Sequence, residues 1–291
     1  MNQKLRIAQP EIVGFFDGLP QKVFKVSEIA RILDEQRNQW QVPAVSTRSF
    51  VGFLTEAGKL KEIIFPFPPP YKRETRYVWG EVSMFTVIQD LKPGGYFSHY
   101  TAVSFHGLTE QLPKTTYLNV EQASGSIESA ALTQGNIDKA FRRAPRMSGN
   151  VAEVEGYRVC IISGKNTGRR AVIEGRPVEG AGLLRYTSLE RTLIDIAVRP
   201  AYAGGVFEVK KAYELAKGRA SAEEIVRLLG ALQYVYPYHQ AIGYYMMSGG
   251  WSAEEFGALK KIPMKHDFYL THQMSQTDYV QDWRLHVPKG F

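Results

Sequence analysis

The stretch Ser46 to Leu60, STRSFVGFLTEAGKL, most constrains what this chain can fold into. Phe50, Phe53, Leu54 and Ala57 recur at helical spacing while Thr47, Arg48, Ser49 and Thr55 face elsewhere. Ser46 suits an N-cap and Val42-Pro43 holds the preceding backbone extended, so the helix begins near Ser46 or Thr47 with a short polar first turn directed outward. Upstream, Val26 to Leu33 gives a second amphipathic helix with Ser27 as its expected cap, and Asn38 to Ala44 is a polar, proline-containing connection. Downstream, Leu60 to Phe65 and Thr75 to Trp79 read as strands rich in branched and aromatic residues, separated by Pro66-Phe67-Pro68-Pro69-Pro70-Tyr71-Lys72-Arg73. Two short helices followed by a hairpin predict a winged helix-turn-helix. Its expected DNA contacts are Ser46, Thr47, Arg48 and Ser49 at the helix start, with Lys72, Arg73 and Arg76 on the wing. The same pattern also serves protein-binding modules, in which those basic residues are solvated surface charges.

Charge agrees with an acidic partner. Residues 1–80 hold 12 Lys+Arg against 8 Asp+Glu, a net of +4 out of +7 for the whole chain, whose pI is near 9.3. A second basic region runs from Arg142 to Arg185, with 9 Lys+Arg and 4 Asp+Glu; Arg142, Arg143, Lys165, Arg169 and Arg170 are its candidate contacts.

The 291 residues suggest about two domains, placed at 1–80 and 81–291, and 44% apolar residues can bury a substantial core. Cys160, the only cysteine, lies in the apolar run Arg158 to Ile162 and reads as a buried strand thiol. The N-terminus has no continuous apolar stretch and no run of 18 apolar residues occurs, so neither a signal peptide nor a membrane partner is expected and the cytoplasm is the expected compartment.

In the second domain the sequence predicts helices at Val82 to Leu91 and within Tyr96 to Thr109, a strand at Thr115 to Val120, a polar turn, and a helix around Gln134 to Arg143. Paired strands follow at Val151 to Val154 and Tyr157 to Ile162 with a Glu155-Gly156 turn. Then come helices at Tyr186 to Val198, Phe207 to Lys217, Ser221 to Gln233, Tyr236 to Met247 and after Ser252, with strand character at Asp267 to Thr271 and Trp283 to Val287. The fold class is therefore α+β, a winged helix followed by a larger mixed domain.

Several segments carry a resemblance: Tyr96-Phe97-Ser98-His99, His106-Gly107-Leu108-Thr109, Leu112-Pro113-Lys114-Thr115, Thr187 through Asp195, and Arg199-Pro200-Ala201-Tyr202-Ala203-Gly204-Gly205. The chain resembles the AbiEi-type antitoxins of type IV toxin-antitoxin, or abortive-infection, systems. That resemblance implies an N-terminal domain that binds double-stranded promoter DNA at inverted repeats and represses its own operon. It implies a C-terminal antitoxin domain that counteracts a cognate nucleotidyltransferase-like toxin, without requiring a stable complex. No enzymatic activity and no cofactor are implied.

Other chemistry has weaker support. The six histidines are scattered and none has the company of a zinc site; His99 and His106 are expected to satisfy local hydrogen bonds. Arg191 and Asp195 are spaced to pair along a helix and, if buried, would anchor the domain, with Arg185 or Arg199 as further members of the network. Asp195 with Glu208 and Lys210 loosely resembles the acidic pair and Lys of metal-dependent nucleases, but both segments read as helices where that chemistry needs strand ends. Gly164-Lys165-Asn166-Thr167-Gly168 lacks the spacing of a phosphate-binding loop. A metal-dependent nucleic-acid-modifying enzyme and a protein-interaction module remain the alternatives.

Overall fold

The computed structural model describes residues 3–57, 59–123 and 132–291. Gly58 and most of the polar turn expected after Val120 lie outside the described residues.

The N-terminal unit contains α1 (Gln3–Ile7), α2 (Gln9–Gly18), β1 (Val23–Phe24), α3 (Val26–Gln36), α4 (Thr47–Glu56), β2 (Leu60–Phe65) and β3 (Glu74–Trp79). The three strands form an antiparallel sheet in the order β1-β3-β2, with β2 and β3 in register from Leu60 opposite Trp79 to Phe65 opposite Glu74. The apolar stripes of the helices meet on one core in which Phe16, Leu33, Phe50 and Leu54 are fully buried. Trp40 stacks on Phe50 with ring centroids 5.6 Å apart, and Trp79 donates its indole N–H to Asp17 at 2.8 Å. Burying a side chain such as Phe50 contributes roughly 1.5 to 3 kcal/mol, which fixes the face of α4 turned inward. Ser27 does not cap α3. The helix starts one residue earlier, and Glu28 reaches back to accept the Lys25 backbone N–H at 2.7 Å.

The larger unit adds α5 (Met84–Asp90), β4 (Tyr96–Phe97), α6 (His99–Phe105), β5 (Thr116–Glu121), α7 (Gln134–Phe141), β6 (Val151–Val154), β7 (Tyr157–Gly164), β8 (Val172–Gly175) and β9 (Leu184–Thr187). These strands build a six-stranded sheet in the order β6-β7-β5-β4-β9-β8, parallel at β5 to β7 and β4 to β9 and antiparallel elsewhere. Both turn residues between β6 and β7, Glu155 and Gly156, have positive φ, the conformation a two-residue hairpin needs. Tyr186 and Thr187, expected in a helix, end strand β9 instead, because Ser188 supplies the helix cap by accepting the Arg191 N–H at 3.3 Å. Cys160 is buried on β7, as its apolar neighbours predict.

Helices α8 (Leu189–Val198), α9 (Val206–Ala216), α10 (Ala222–Leu232), α11 (Tyr238–Ser248) and α12 (Ala253–Lys260) pack beside the sheet, followed by β10 (Phe268–Tyr269), β11 (Thr277–Val280) and β12 (Leu285–Pro288). The core helix is α11, buried without interruption from His239 to Met246, and the Trp283 indole packs against it at Gly243.

The two units share apolar packing. Val23, Ile63, Phe65 and Val78 on one side form a single cluster with Met84, Val87, Phe97 and Leu118 on the other, across the expected boundary near Gly80. Lys61 of β2 also pairs with Glu155 of the β6–β7 turn at 2.7 Å. Among the described residues no helix is long and apolar enough to cross a membrane.

Candidate nucleic-acid interface

Helix α4 divides cleanly into two faces. Phe50, Phe53 and Leu54 are buried; Ser46, Arg48 and Ser49 are exposed and Thr47 is half-buried at its outer end. Ser46 caps the helix, accepting the Ser49 N–H at 3.2 Å, and the two hydroxyls lie 2.9 Å apart. The connection before it is held from within, because Arg37 donates to Val45 O at 2.6 Å and to Asp34 at 2.8 Å while Val42 and Val45 are buried. Arg48 has no ion pair among the described residues. A fixed helix start thus presents one free guanidinium flanked by hydroxyls, beside the positive end of the helix dipole.

The β2–β3 loop presents Lys72 and Arg73, both exposed, next to the exposed Tyr71. Its base is anchored by Phe65 and Phe67, buried and stacked 6.2 Å apart.

Arg76 is a correction to the sequence reading. It is only 1% exposed and points into the junction between the units. Its Nε donates to Asp90 at 2.6 Å, Nη1 to Glu74 at 3.2 Å and Thr75 O at 2.9 Å, and Nη2 to Asp90 O and Leu91 O at 3.0 and 3.1 Å. All five donors of the guanidinium are therefore used, and the last carbonyls of α5 are capped by a cation. Strand alternation carried the signal. Arg76 shares its face with Val78 and stands opposite the buried Ile63, so its phase is inward.

The second basic region is not one patch. Arg142 and Arg143 are exposed beyond α7; Arg169 and Arg170 are exposed on the loop after β7, held where Glu121 accepts the Thr167 and Arg169 N–H groups at 3.1 Å. Lys165 is turned inward at its tip, donating to Leu232 O at 2.9 Å and Gln233 O at 2.6 Å at the end of α10.

A concave site lies in the larger unit, at the end of the parallel pair β5 and β7. Asn119, His99 and Asp195, each more than nine-tenths buried, line a cleft of about 680 Å³ with Tyr234, Tyr236 and Tyr238. Arg191 and Asp195 form the expected pair at 2.7 Å, both buried, and Arg191 also donates to Arg170 O at 3.0 Å. Arg185 stands outside this network and donates to Gly95 O at 3.0 Å. Burial lowers the His99 pKa to about 4, against the pull of the nearby Asp195 carboxylate, so the ring is neutral near pH 7. His106 makes no local bond of the kind expected; its Nε2 meets Thr187 O on β9 at 2.8 Å. Glu208 sits away from Asp195's carboxylate partners, accepting from the Tyr100 hydroxyl at 2.9 Å and from Gln111 at 3.0 Å. No group of three or more His, Cys, Asp or Glu able to hold a metal occurs among the described residues.

The fold is thus α+β, two packed units with a free cationic helix start on one and a polar cleft in the other. No family model and no curated protein matches the sequence. The chain is similar to the crystal structure of the Rv2827c protein from Mycobacterium tuberculosis, with 15% identity, a TM-score of 0.62, and coverage of 97% of this chain and 91% of that one. At that identity the likeness is one of fold.

Proposed function

We propose that this protein is an AbiEi-type antitoxin and autorepressor that reads the promoter of its own operon through a winged helix in residues 1–80. The reading rests first on Arg48, an exposed, unpaired guanidinium at the capped start of a helix whose opposite face is fully buried. In the major groove a guanidinium can make two bonds to one guanine, while Lys72 and Arg73 of the wing hold phosphates. The larger unit carries the antitoxin activity against a nucleotidyltransferase-like toxin in the cytoplasm, as the resemblance of the segments around Ser98, His106 and Thr187 to Asp195 implies.

Fluorescence anisotropy of the full chain on DNA from directly upstream of its gene, against scrambled DNA over a salt series, tests the DNA-binding half. Tight binding to the upstream DNA alone is expected; equal binding to both rejects specific recognition. Co-expression with the neighbouring toxic gene tests the other half. Growth is expected to be rescued, and failure of rescue by soluble full-length protein rejects the antitoxin role.

A further inference from the structure

The cleft between β5, β7 and α8 has polar atoms that the protein leaves unused. The Asn119 side-chain amide, His99 Nε2 and the second carboxylate oxygen of Asp195 have no hydrogen-bond partner among the described residues, although these residues are 5%, 6% and 6% exposed. These atoms are reached from the cleft and so are open to a ligand that enters it. The backbone agrees. His99 is a non-glycine residue at φ 52°, a left-handed conformation at the first position of α6, with Nδ1 held 2.8 Å from Ser98 Oγ. Strain of that kind concentrates at ligand sites.

The rest of the cleft supplies complementary chemistry. Tyr234, Tyr236 and Tyr238 give it an aromatic wall, the exposed Arg199 brings positive charge to its mouth, and the Lys165 ammonium stands there with two of its three donors on Leu232 O and Gln233 O and one left over. Arg199 has no ion pair among the described residues, and its guanidinium lies 5.8 Å from the Tyr202 ring. Gly164 completes the floor, because a Cβ there would fall 2.4 Å from Asn119 Oδ1. The position, beyond the carboxyl end of a parallel strand pair, is where open sheets commonly bind ligands, and the volume suits a small molecule.

A flat ring with several donors and acceptors fits the amide, imidazole and carboxylate of the floor; an anionic tail fits the mouth. We propose that this cleft binds a nucleotide, with its base against Asn119, His99 and Asp195 and its phosphate at Lys165 and Arg199. The nucleotide is either free or the terminal residue of a single strand. This goes beyond the DNA-binding reading and does not depend on it, since the cleft involves none of the residues of α4 or the β2–β3 loop.

Isothermal titration of the full chain with ATP, GTP, CTP and UTP, with inorganic phosphate, and with a six-nucleotide single-stranded RNA tests the proposal. Saturable binding of at least one nucleotide, with phosphate alone at least tenfold weaker, is expected. Arg199→Ala, an exposed change, and Asn119→Ala should each weaken it at least tenfold, with the thermal midpoint of Arg199→Ala unchanged. Binding of the hexanucleotide tighter than any mononucleotide assigns the site to a strand end, and the reverse to a free nucleotide. No binding by any of these probes, phosphate binding as tight as the nucleotides, or affinity unchanged in both variants overturns the proposal.

Discussion

Arg76 Nε and Asp90 Oδ2 lie 2.6 Å apart, joining the last strand of the N-terminal unit to the end of the first helix of the larger one. Because the Arg76 side chain is 2% exposed and Glu74 and three carbonyls also depend on it, Arg76→Ala strips partners from several groups at once. Such a loss costs about 3 kcal/mol or more. Urea denaturation should show that drop, while the salt dependence of DNA binding by the remaining folded protein stays as it was. A wild-type urea midpoint would refute the anchoring role.

Arg48 and Lys72 should separate specificity from charge. Arg48→Ala is expected to lose ~1 to 3 kcal/mol of discrimination between operator and scrambled DNA. Lys72→Ala should weaken both DNAs alike and reduce the salt slope by about one. Anisotropy over a salt series reads both, and equal weakening by Arg48→Ala on the two DNAs rejects base contact.

Acid should weaken the fold through two histidines. Burial brings both His99 and His239 down to about 4. Between that value and the ordinary 6.5 the unfolded chain binds protons that the native one does not, so stability is full above about pH 6.5 and falls as the pH drops towards 4. By pH 5 the loss is roughly 2 kcal/mol for His99, and at most that for His239. Urea midpoints at pH 7.5 and 5.0 measure it. His99→Asn, whose side chain tolerates a positive φ, should flatten the difference; an unaltered difference would show that His99 does not titrate in this way.

Gly243 is close to irreplaceable. An added Cβ would lie 2.1 Å from the Trp283 ring, which is itself fully buried. Gly243→Ala must therefore displace the indole and should cost about 1 to 3 kcal/mol. Thermal unfolding together with a red shift of tryptophan emission would register it, and a native midpoint with unshifted emission would contradict the packing.

The helices were legible from their apolar spacing at α4, α8 and α10, and α11 from the apolar stretch Ala241 to Met246 within the buried core helix. Strands β8, β9 and β11 were not, because β8 and β11 have no buried residue and β9 has its two buried residues only at its ends, so no alternation marks them. At the exposed start of α4, the polar turn Ser46 to Ser49 followed from the spacing of the phenylalanines. Arg76 was misassigned by its charge although its phase with Val78 was available. The cleft was invisible in the sequence, since Asn119, His99, Asp195 and Tyr234 come from separate elements and only the folded sheet brings them to one opening.

The apolar cluster that straddles Gly80 bears on how this protein can be dissected. A fragment ending there would expose Ile63, Phe65, Phe67 and Val78 to water, a greasy scar where the intact molecule has an interior. Such a fragment would self-associate, and its behaviour would report on the wound as much as on the helix it was meant to isolate. For the same reason heating should melt the intact chain in one step, with neither unit outliving the other.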